Sequence, residues 1–311
     1  MEQRNLGHSD LRVSAVGLGC NNFGGRIDFE ATRRVVHKAL DLGVTLFDTA
    51  DVYGERGGSE DCLGQILGTQ RKDIVLATKF GLPMDDDNRR KGASRRYVMT
   101  AIEASLKRLR TDWIDLYQLH RPDPHTPIEQ TLRALDDLVR QGKVRAIGCS
   151  NLPAWQVVEA QWTARHLGLK NFVSAQDEYS LLKRDVEGEL LPAIEAYGLG
   201  LLPYRPLANG FLTGKYKRTA PIPEDARLSS ARYADRHLTE TNWTRVQGLE
   251  EFCRRRGRSL LELAFGWLLS KPCLSSVIAG ATKPEQVEAN VRAVGWALTL
   301  EELAEVDRIT G

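Results

Sequence analysis

The sequence lacks long apolar segments and a marked excess of charge of either sign. No run of about 18 uninterrupted apolar residues occurs in its 311 residues, and the first ten residues contain no apolar core typical of a signal peptide. Lysine and arginine number 43 against 41 aspartate and glutamate, and no basic stripe is interleaved with aromatic residues. These absences disfavour membrane-spanning and nucleic-acid-binding proteins. We therefore expect a soluble cytoplasmic protein with a small-molecule partner. Assembly into a homo-oligomer is compatible with the sequence.

Cysteine and glycine motifs are also sparse. The five cysteines are widely spaced and form no C-x-x-C pair or cluster with histidine, so we expect reduced thiols and no metal site. No G-x-G-x-x-G follows any predicted strand, since Gly17-Leu18-Gly19 is followed by Cys20 and Asn21. The first predicted strand also carries no His-x-His, which disfavours a metal-dependent barrel hydrolase.

What the sequence does contain is a repeated alternation of short runs rich in valine, isoleucine and leucine with longer stretches of helical apolar spacing. Eight units are present, with strands predicted at Val13–Gly19, Thr45–Asp48, Ile74–Lys79, Ile114–His120, Ala146–Ser150, Val173–Gln176, Leu201–Pro203 and Ser276–Ala279. Helices are predicted near Phe29–Leu42, Glu60–Leu67, Tyr97–Leu109, Pro127–Gln141, Pro153–Leu167, Glu187–Tyr197 and Lys283–Ala293. This α/β pattern predicts a closed (β/α)8 TIM barrel, formed as a single domain over residues 1–311. An open doubly wound sheet remains the alternative.

Three segments lie outside this alternation. The first dozen residues predict a β-hairpin that covers the barrel floor, and Leu300–Ile309 predicts an extra C-terminal amphipathic helix. The long irregular stretch Pro206–His237 precedes a helix that starts near Thr239. A structureless segment of that length in a compact domain is typical of a lid or a binding segment.

Three predicted strands end at side chains that carry charge or exchange protons. Asp48, Lys79 and His120 end the second, third and fourth strands, and Tyr53 follows Asp48 in the next loop. Taken singly, each residue has a structural explanation, but in a barrel the C-terminal ends of the strands face one shared cleft. Together they supply a phenol to deliver a proton to a carbonyl oxygen, a lysine to lower the pKa of that phenol and an aspartate to hold the lysine. The imidazole is expected to orient the oxygen and to share the proton transfer. Because side chains cannot donate hydride, we expect a nicotinamide cofactor.

Four segments in this order carry a resemblance to a known family: F-D-T-A-D-V-Y-G at Phe47–Gly54, then A-T-K-F, L-Y-Q-L-H-R-P-D and I-G-C-S-N. They resemble the catalytic motifs of the aldo-keto reductase family, and the similarity spans essentially the whole chain. The resemblance implies a barrel that binds NADP(H) without a Rossmann fold and reduces aldehydes or ketones to alcohols. The implied catalytic tetrad is Asp48, Tyr53, Lys79 and His120.

The resemblance also implies the cofactor contacts. Ser150, Asn151 and Gln176 match the residues that hold the nicotinamide carboxamide, and Tyr204 matches the aromatic residue that stacks on the ring. The other residues expected to contact the cofactor are Cys20, Asn21, Asp48, Arg205, Pro206, Leu207, Lys215, Gly280, Thr282, Gln286 and Asn290.

The segment I-A-G-A-T-K-P-E-Q-V-E-A-N at the last strand resembles the branch that includes bacterial general-stress reductases and potassium-channel beta subunits. Arg205 stands where many relatives have a small residue, and Ala289 stands where an acidic residue often contacts adenine. Lys283 would place positive charge near a 2′-phosphate, which favours NADP(H) over NAD(H).

The substrate pocket is expected to lie between the loops that follow the first four strands, with Asn21, Phe23, Tyr53, Phe80 and His120 as lining residues. Asn21 replaces a larger apolar residue of many relatives, which predicts a polar pocket suited to a sugar-derived or hydroxylated carbonyl. The alternative function is a cofactor-binding redox-sensing or regulatory subunit with little turnover, which the resemblance to channel beta subunits allows.

Overall fold

A computed structural model describes residues 1–224 and 226–311, with every side chain among them except that of Arg232. In this part of the chain the strands form two sheets. The smaller sheet is an antiparallel hairpin of β1 (Gln3–Asn5) and β2 (Arg12–Ser14). The larger sheet contains eight parallel strands: β3 (Val16–Gly19), β4 (Leu46–Asp48), β5 (Val75–Phe80), β6 (Ile114–Leu119), β7 (Val144–Ser150), β8 (Phe172–Gln176), β9 (Gly200–Leu201) and β10 (Val277–Gly280).

The eight strands follow one another in sequence order, and the sheet curls until its two edges meet. Its order is β10-β3-β4-β5-β6-β7-β8-β9. Leu201 on β9 forms a parallel bridge with Leu274, and the Ile278 N–H on β10 donates to the Pro203 carbonyl at 3.1 Å. The predicted (β/α)8 barrel is therefore confirmed.

Helices follow the strands and surround the sheet. They are α1 (Phe29–Asp41), α2 (Tyr53–Leu67), α3 (Arg95–Leu109), α4 (Ile128–Arg140), α5 (Ala154–Leu167), α6 (Leu190–Tyr197), α7 (Ala231–His237), α8 (Glu240–Arg254), α9 (Leu260–Leu269), α10 (Pro284–Arg292) and α11 (Leu300–Thr310). The last of these is the predicted C-terminal helix. In the described residues, none of these helices combines the length and the apolar character that a membrane crossing requires.

The two-residue period of the strands separates two buried clusters. Side chains that point into the barrel, such as Leu46, Val75 and Leu116, pack with Leu6 and Val13 of the hairpin. The hairpin therefore closes the barrel floor, as predicted. Side chains of the opposite face belong to the larger cluster that the surrounding helices share with the sheet.

Most boundaries shift by a few residues from the sequence prediction, and two elements differ more strongly. The first predicted strand is divided, because the Ser14 hydroxyl donates to the Val16 carbonyl at 2.6 Å and also accepts from the Thr45 N–H at 2.9 Å. These bonds turn the chain from the hairpin into the barrel. Helix α9 carried no helical pattern in the sequence, since it is buried on nearly all sides and is apolar throughout.

Candidate active site

An ion pair lies at the C-terminal end of the barrel. Lys79 Nζ donates to Asp48 Oδ2 at 2.6 Å and to the Thr49 carbonyl at 2.8 Å. The two side chains are only 0% and 4% exposed. Burial lowers the pKa of Lys79, but Asp48 and Tyr53 more than offset this effect, so the pKa lies above its ordinary value. Lys79 is therefore charged at neutral pH.

Two glutamine amides hold the other oxygen of the same aspartate. Asp48 Oδ1 accepts from Gln176 Nε2 at 2.9 Å and from Gln118 Nε2 at 3.2 Å. Gln118 was missed in the sequence, although a polar residue inside the apolar run Ile114–Leu119 was a usable signal. It lies two residues before His120 and so points to the same face of the strand.

Tyr53 lies between the lysine and the histidine. Lys79 Nζ is 5.1 Å from the centroid of its ring, and the rings of Tyr53 and His120 are 5.7 Å apart with planes at 83°. Burial raises the pKa of Tyr53, and Lys79 lowers it only in part. The predicted lowering of this pKa is therefore wrong for the protein alone, because desolvation outweighs the lysine. The phenol is protonated at neutral pH, which is the form that can donate.

The backbone beside Tyr53 makes a left-handed turn, which is costly for residues with a Cβ. Gly54, Glu55 and Arg56 have φ of 66°, 59° and 69°, and the Arg56 N–H donates to the Val52 carbonyl at 3.2 Å. A Cβ on Gly54 would lie 2.4 Å from the Phe23 carbonyl oxygen, so only glycine fits. The turn thus packs closely against the loop after β3, and this contact fixes the backbone position from which the Tyr53 side chain extends.

His120 is neutral. Burial, followed by the charges of Lys79 and Arg121, lowers the pKa of its imidazole to about 2. The backbone N–H of His120 donates to the Phe80 carbonyl at 2.9 Å, and its buried Nδ1 has no hydrogen-bond partner among the described residues. A neutral imidazole can donate a hydrogen bond to a carbonyl oxygen, but it carries no extra proton to transfer.

A cavity of about 650 Å³ opens over this group. Asp48, Tyr53 and His120 line it, and Lys79 lies behind them. All the predicted cofactor residues also line this cavity: Cys20, Asn21, Ser150, Asn151, Gln176, Tyr204, Arg205, Pro206, Leu207, Lys215, Gly280, Thr282, Gln286 and Asn290. The fold therefore brings the predicted residues to one place.

Polar groups near the tetrad are already linked to one another. Tyr204 donates its hydroxyl to Asn151 Oδ1 at 2.8 Å, and Asn151 Nδ2 donates to Ser150 Oγ at 2.8 Å and to the His120 carbonyl at 3.1 Å. Ser150 donates in turn to the Gln176 carbonyl at 2.8 Å. These bonds fix the orientation of one amide and one phenol at the wall of the cavity.

Positive charge lines the cavity on the side of β9 and β10. Arg205 pairs with Glu178 at 3.1 Å, and Glu178 also pairs with Arg236 of α7 at 2.7 Å. Arg227 donates to the side chain of Asn22, which links the segment before α7 to the loop after β3. Three lining cations were not predicted, namely Arg26, Arg121 and Arg227. A single arginine in a loop gave no signal in the sequence.

Gln286 also forms hydrogen bonds within the protein. Its Oε1 accepts from the Thr282 N–H at 2.7 Å, just before α10 begins at Pro284. This bond fixes the N-terminal turn of α10, whose free N–H groups favour a negatively charged group. Lys283 also lines the cavity there.

Two predicted lining residues lie elsewhere. Phe23 and Phe80 are 0% exposed and belong to the large apolar cluster, not to the cavity wall. Phe80 follows Lys79 directly on β5, so its side chain points to the opposite face and stacks on Tyr117, with ring centroids 4.7 Å apart. Phe23 is likewise buried within that cluster. The expectation that these two rings line the pocket is therefore wrong.

The fold and this site define a class: (β/α)8 barrels with an aspartate, a tyrosine, a lysine and a histidine gathered at the C-terminal mouth. The model of the aldo/keto reductase family matches residues 15–310. The chain therefore belongs to the aldo/keto reductase family and is an oxidoreductase.

Similar proteins fall in the predicted branch. The chain is 39% identical over 302 residues to a probable voltage-gated potassium channel subunit beta of Oryza sativa subsp. japonica, covering 94% of this chain and 91% of the relative. It is 37% identical over 311 residues to the uncharacterized oxidoreductase YrpG of Bacillus subtilis (strain 168), covering 97% and 93%. It is 34% identical over 321 residues to the L-glyceraldehyde 3-phosphate reductase of Escherichia coli (strain K12), covering 99% and 92%.

Proposed function

We propose that the chain, acting as one catalytic unit over residues 1–311, reduces aldehydes or ketones to alcohols with NADP(H). The observation that carries the proposal is the position of Tyr53, a protonated phenol between a buried ammonium and a neutral imidazole at the wall of the cavity. Membership of the aldo/keto reductase family and the similarity to the L-glyceraldehyde 3-phosphate reductase of E. coli support carbonyl reduction in general.

The cavity suits a nicotinamide dinucleotide. Its wall carries an oriented amide and phenol, Asn151 and Tyr204, beside the tetrad, which suits a carboxamide and an aromatic ring. Arg205, Arg227 and Lys283 line the other side, where phosphate groups would be held. Three cations and the start of α10 favour a cofactor with an additional phosphate, so NADP(H) fits better than NAD(H). Bound there, the reduced nicotinamide would supply the hydride.

Four side chains of the protein carry out the proton transfer to the carbonyl oxygen. The neutral imidazole of His120 orients the carbonyl oxygen, and Tyr53 delivers its hydroxyl proton to that oxygen as negative charge develops there. The ammonium of Lys79 stabilises the phenolate that is left, and Asp48 holds the ammonium in place. The two glutamine amides keep the aspartate oriented. Asp48, Lys79 and His120 are buried, and these low-dielectric surroundings strengthen each of these interactions.

The proposal is tested by following the absorbance of NADPH and NADH with a panel of aldehydes, ketones and sugars. We expect NADPH to be consumed in preference to NADH, with the alcohol as product, and short hydroxylated aldehydes to react better than long apolar ones. Tight binding of NADPH without oxidation by any carbonyl would contradict the enzyme assignment. That result would instead favour a cofactor-binding regulatory subunit, the alternative that the similarity to a probable potassium channel subunit beta of rice supports.

A further inference from the structure

Arg121 differs from the cations on the other side of the cavity. Arg205 is paired with Glu178, and Arg227 is bonded to Asn22. Arg121 lines the same cavity, is exposed, and its guanidinium forms no hydrogen bond or ion pair with any other described residue. A guanidinium in a partly enclosed cavity without an anion is a ready site for one, because it presents several N–H donors in a planar fork.

The position of Arg121 separates it from the proposed phosphate side. It follows β6, which lies four strands away from β10 in a ring of eight, so the loops after these strands are on opposite sides of the mouth. It is the residue directly after His120, whose backbone carbonyl accepts from Asn151 Nδ2 at 3.1 Å. Arg121 is thus at the end of the cavity where the carbonyl is expected to react.

We propose that Arg121 selects carbonyl substrates that carry an anionic group, a phosphate or a carboxylate, a short distance from the carbonyl. This inference rests on the proposed function and names the substrate class for the same site. The carbonyl oxygen lies against Tyr53 and His120, and the anion of the same molecule binds the guanidinium at the rim. A phosphate or carboxylate can accept two parallel N–H bonds from arginine, which fixes the distance between the anion and the reacting carbon.

The experiment compares matched pairs of substrates that differ in the anionic group. Glyceraldehyde 3-phosphate is compared with glyceraldehyde, and succinic semialdehyde with butanal, by kcat/KM with NADPH. The wild-type protein should prefer the anionic member of at least one pair by about 10- to 100-fold, since hydrogen bonds to charged groups are worth roughly one to two powers of ten. The preference should shrink as salt is added, because the site is open to solvent. The pair that shows the preference identifies the anion.

Three variants complete the test. Arg121→Gln should reduce the ratio of the two kcat/KM values to within about 3-fold of unity, Arg121→Lys should keep part of it, and Arg121→Glu should disfavour the anionic member, following the sign of the charge. Arg34→Gln is the matched control, since Arg34 is exposed on α1 and lies outside the cavity. It should leave both kcat/KM values unchanged.

Failure of this inference can be told apart from failure of the proposed function. Equal rates on the charged and uncharged members, or a ratio that Arg121→Gln does not alter, would overturn the role of Arg121 while leaving carbonyl reduction intact. No turnover with any member of either pair would overturn both. A change of ratio that Arg34→Gln reproduces would also contradict a specific site at Arg121.

Discussion

The two sides of the cavity are built in different ways. On the side of β4 and β5, the proposed reacting group consists of strand-end side chains that are almost completely buried and joined to one another, as Lys79 and Asp48 are. On the side of β9, the wall is an irregular segment in which Arg205, Ala208 and Asn209 adopt positive φ of 52°, 45° and 58°. Strand register fixes the first side, and loop conformation fixes the second.

This difference suits the different tasks that we propose for the two sides. Proton transfer requires heavy atoms placed within a few tenths of an ångström, which the hydrogen bonds of a closed sheet can provide. Holding a cofactor requires a segment that can close over it, and irregular segments with few regular backbone bonds open at low free-energy cost. We therefore expect changes on the first side to alter kcat, and changes on the second to alter cofactor binding.

The largest effect is expected from Lys79→Met, which tests whether the β4 and β5 side determines kcat. Removing the ammonium leaves the Tyr53 phenolate without its stabilising charge, so kcat should fall by on the order of 10²–10³ while NADPH still binds. Steady-state kinetics and NADPH fluorescence titration measure the two quantities separately.

Lys79→Met also leaves Asp48 as an unpaired buried charge, which costs roughly 3–5 kcal/mol of stability. The double variant Lys79→Met with Asp48→Asn removes this penalty and keeps the loss of kcat. A folded double variant with wild-type kcat would contradict the role of the lysine in proton transfer.

A smaller effect, on cofactor binding and not on kcat, is expected from Arg227→Gln. Arg227 lines the cavity in the segment before α7 and contacts Asn22 across it. Loss of its charge should raise the Kd of NADPH by about 10-fold and leave kcat at saturating cofactor unchanged. Arg34→Gln again serves as the control. A fall in kcat at saturating NADPH, without a change in Kd, would reverse the division of tasks.

The sequence predicted the reacting side better than the other. Asp48, Lys79 and His120 were found because each ends an apolar run, and parallel strands bring their ends together. The face of a side chain is also set by the two-residue period, which would have excluded Phe80 from the cavity and included Gln118. The pKa of Tyr53 could not be predicted, because it depends on how deeply the folded protein buries the phenol.

The sequence located the irregular segment on the β9 side of the cavity, but it did not predict the contacts of that segment. Its length and its glycines and prolines indicated an irregular segment over Pro206–His237, although Ala231–His237 form helix α7. The resemblance supplied Lys215 and Arg205 as lining residues. The partners of its cations, such as Glu178 for Arg205 and Asn22 for Arg227, come from distant parts of the chain and have no local pattern. For the same reason the exposed Arg121 carried no signal.

A third effect, on stability and not on activity, concerns the buried carboxyl of Asp51. Both of its oxygens lack hydrogen-bond partners among the described residues, and it is 1% exposed. Burial, with the charge of Glu60, raises its pKa to about 8, although Arg108 and Lys79 oppose the shift. In the folded protein Asp51 therefore keeps a proton that the unfolded chain releases near its ordinary pKa of about 4.

The sign follows from linkage. Between about pH 4 and 8 the folded state binds more protons than the unfolded state at this residue, so its contribution to stability falls as the pH rises. Asp51→Asn removes this pH dependence. The free energy of unfolding of the variant minus that of the wild type should therefore increase by on the order of a few kcal/mol as the pH rises from about 4 to 8. Denaturant unfolding at several pH values measures it, with the exposed Asp41→Asn as the control. Parallel curves for wild type and Asp51→Asn would contradict a buried, protonated carboxyl.

The central claim is that Tyr53 delivers the proton, and a single-turnover experiment tests it most directly. Tyr53→Phe, saturated with NADPH and mixed with the best aldehyde, is compared with the wild type and with Tyr117→Phe, whose buried hydroxyl has no partner among the described residues. We predict that Tyr53→Phe binds NADPH normally but oxidises it at least about 10²-fold more slowly, while Tyr117→Phe matches the wild type. A Tyr53→Phe protein that oxidises NADPH at close to the wild-type rate would contradict the account.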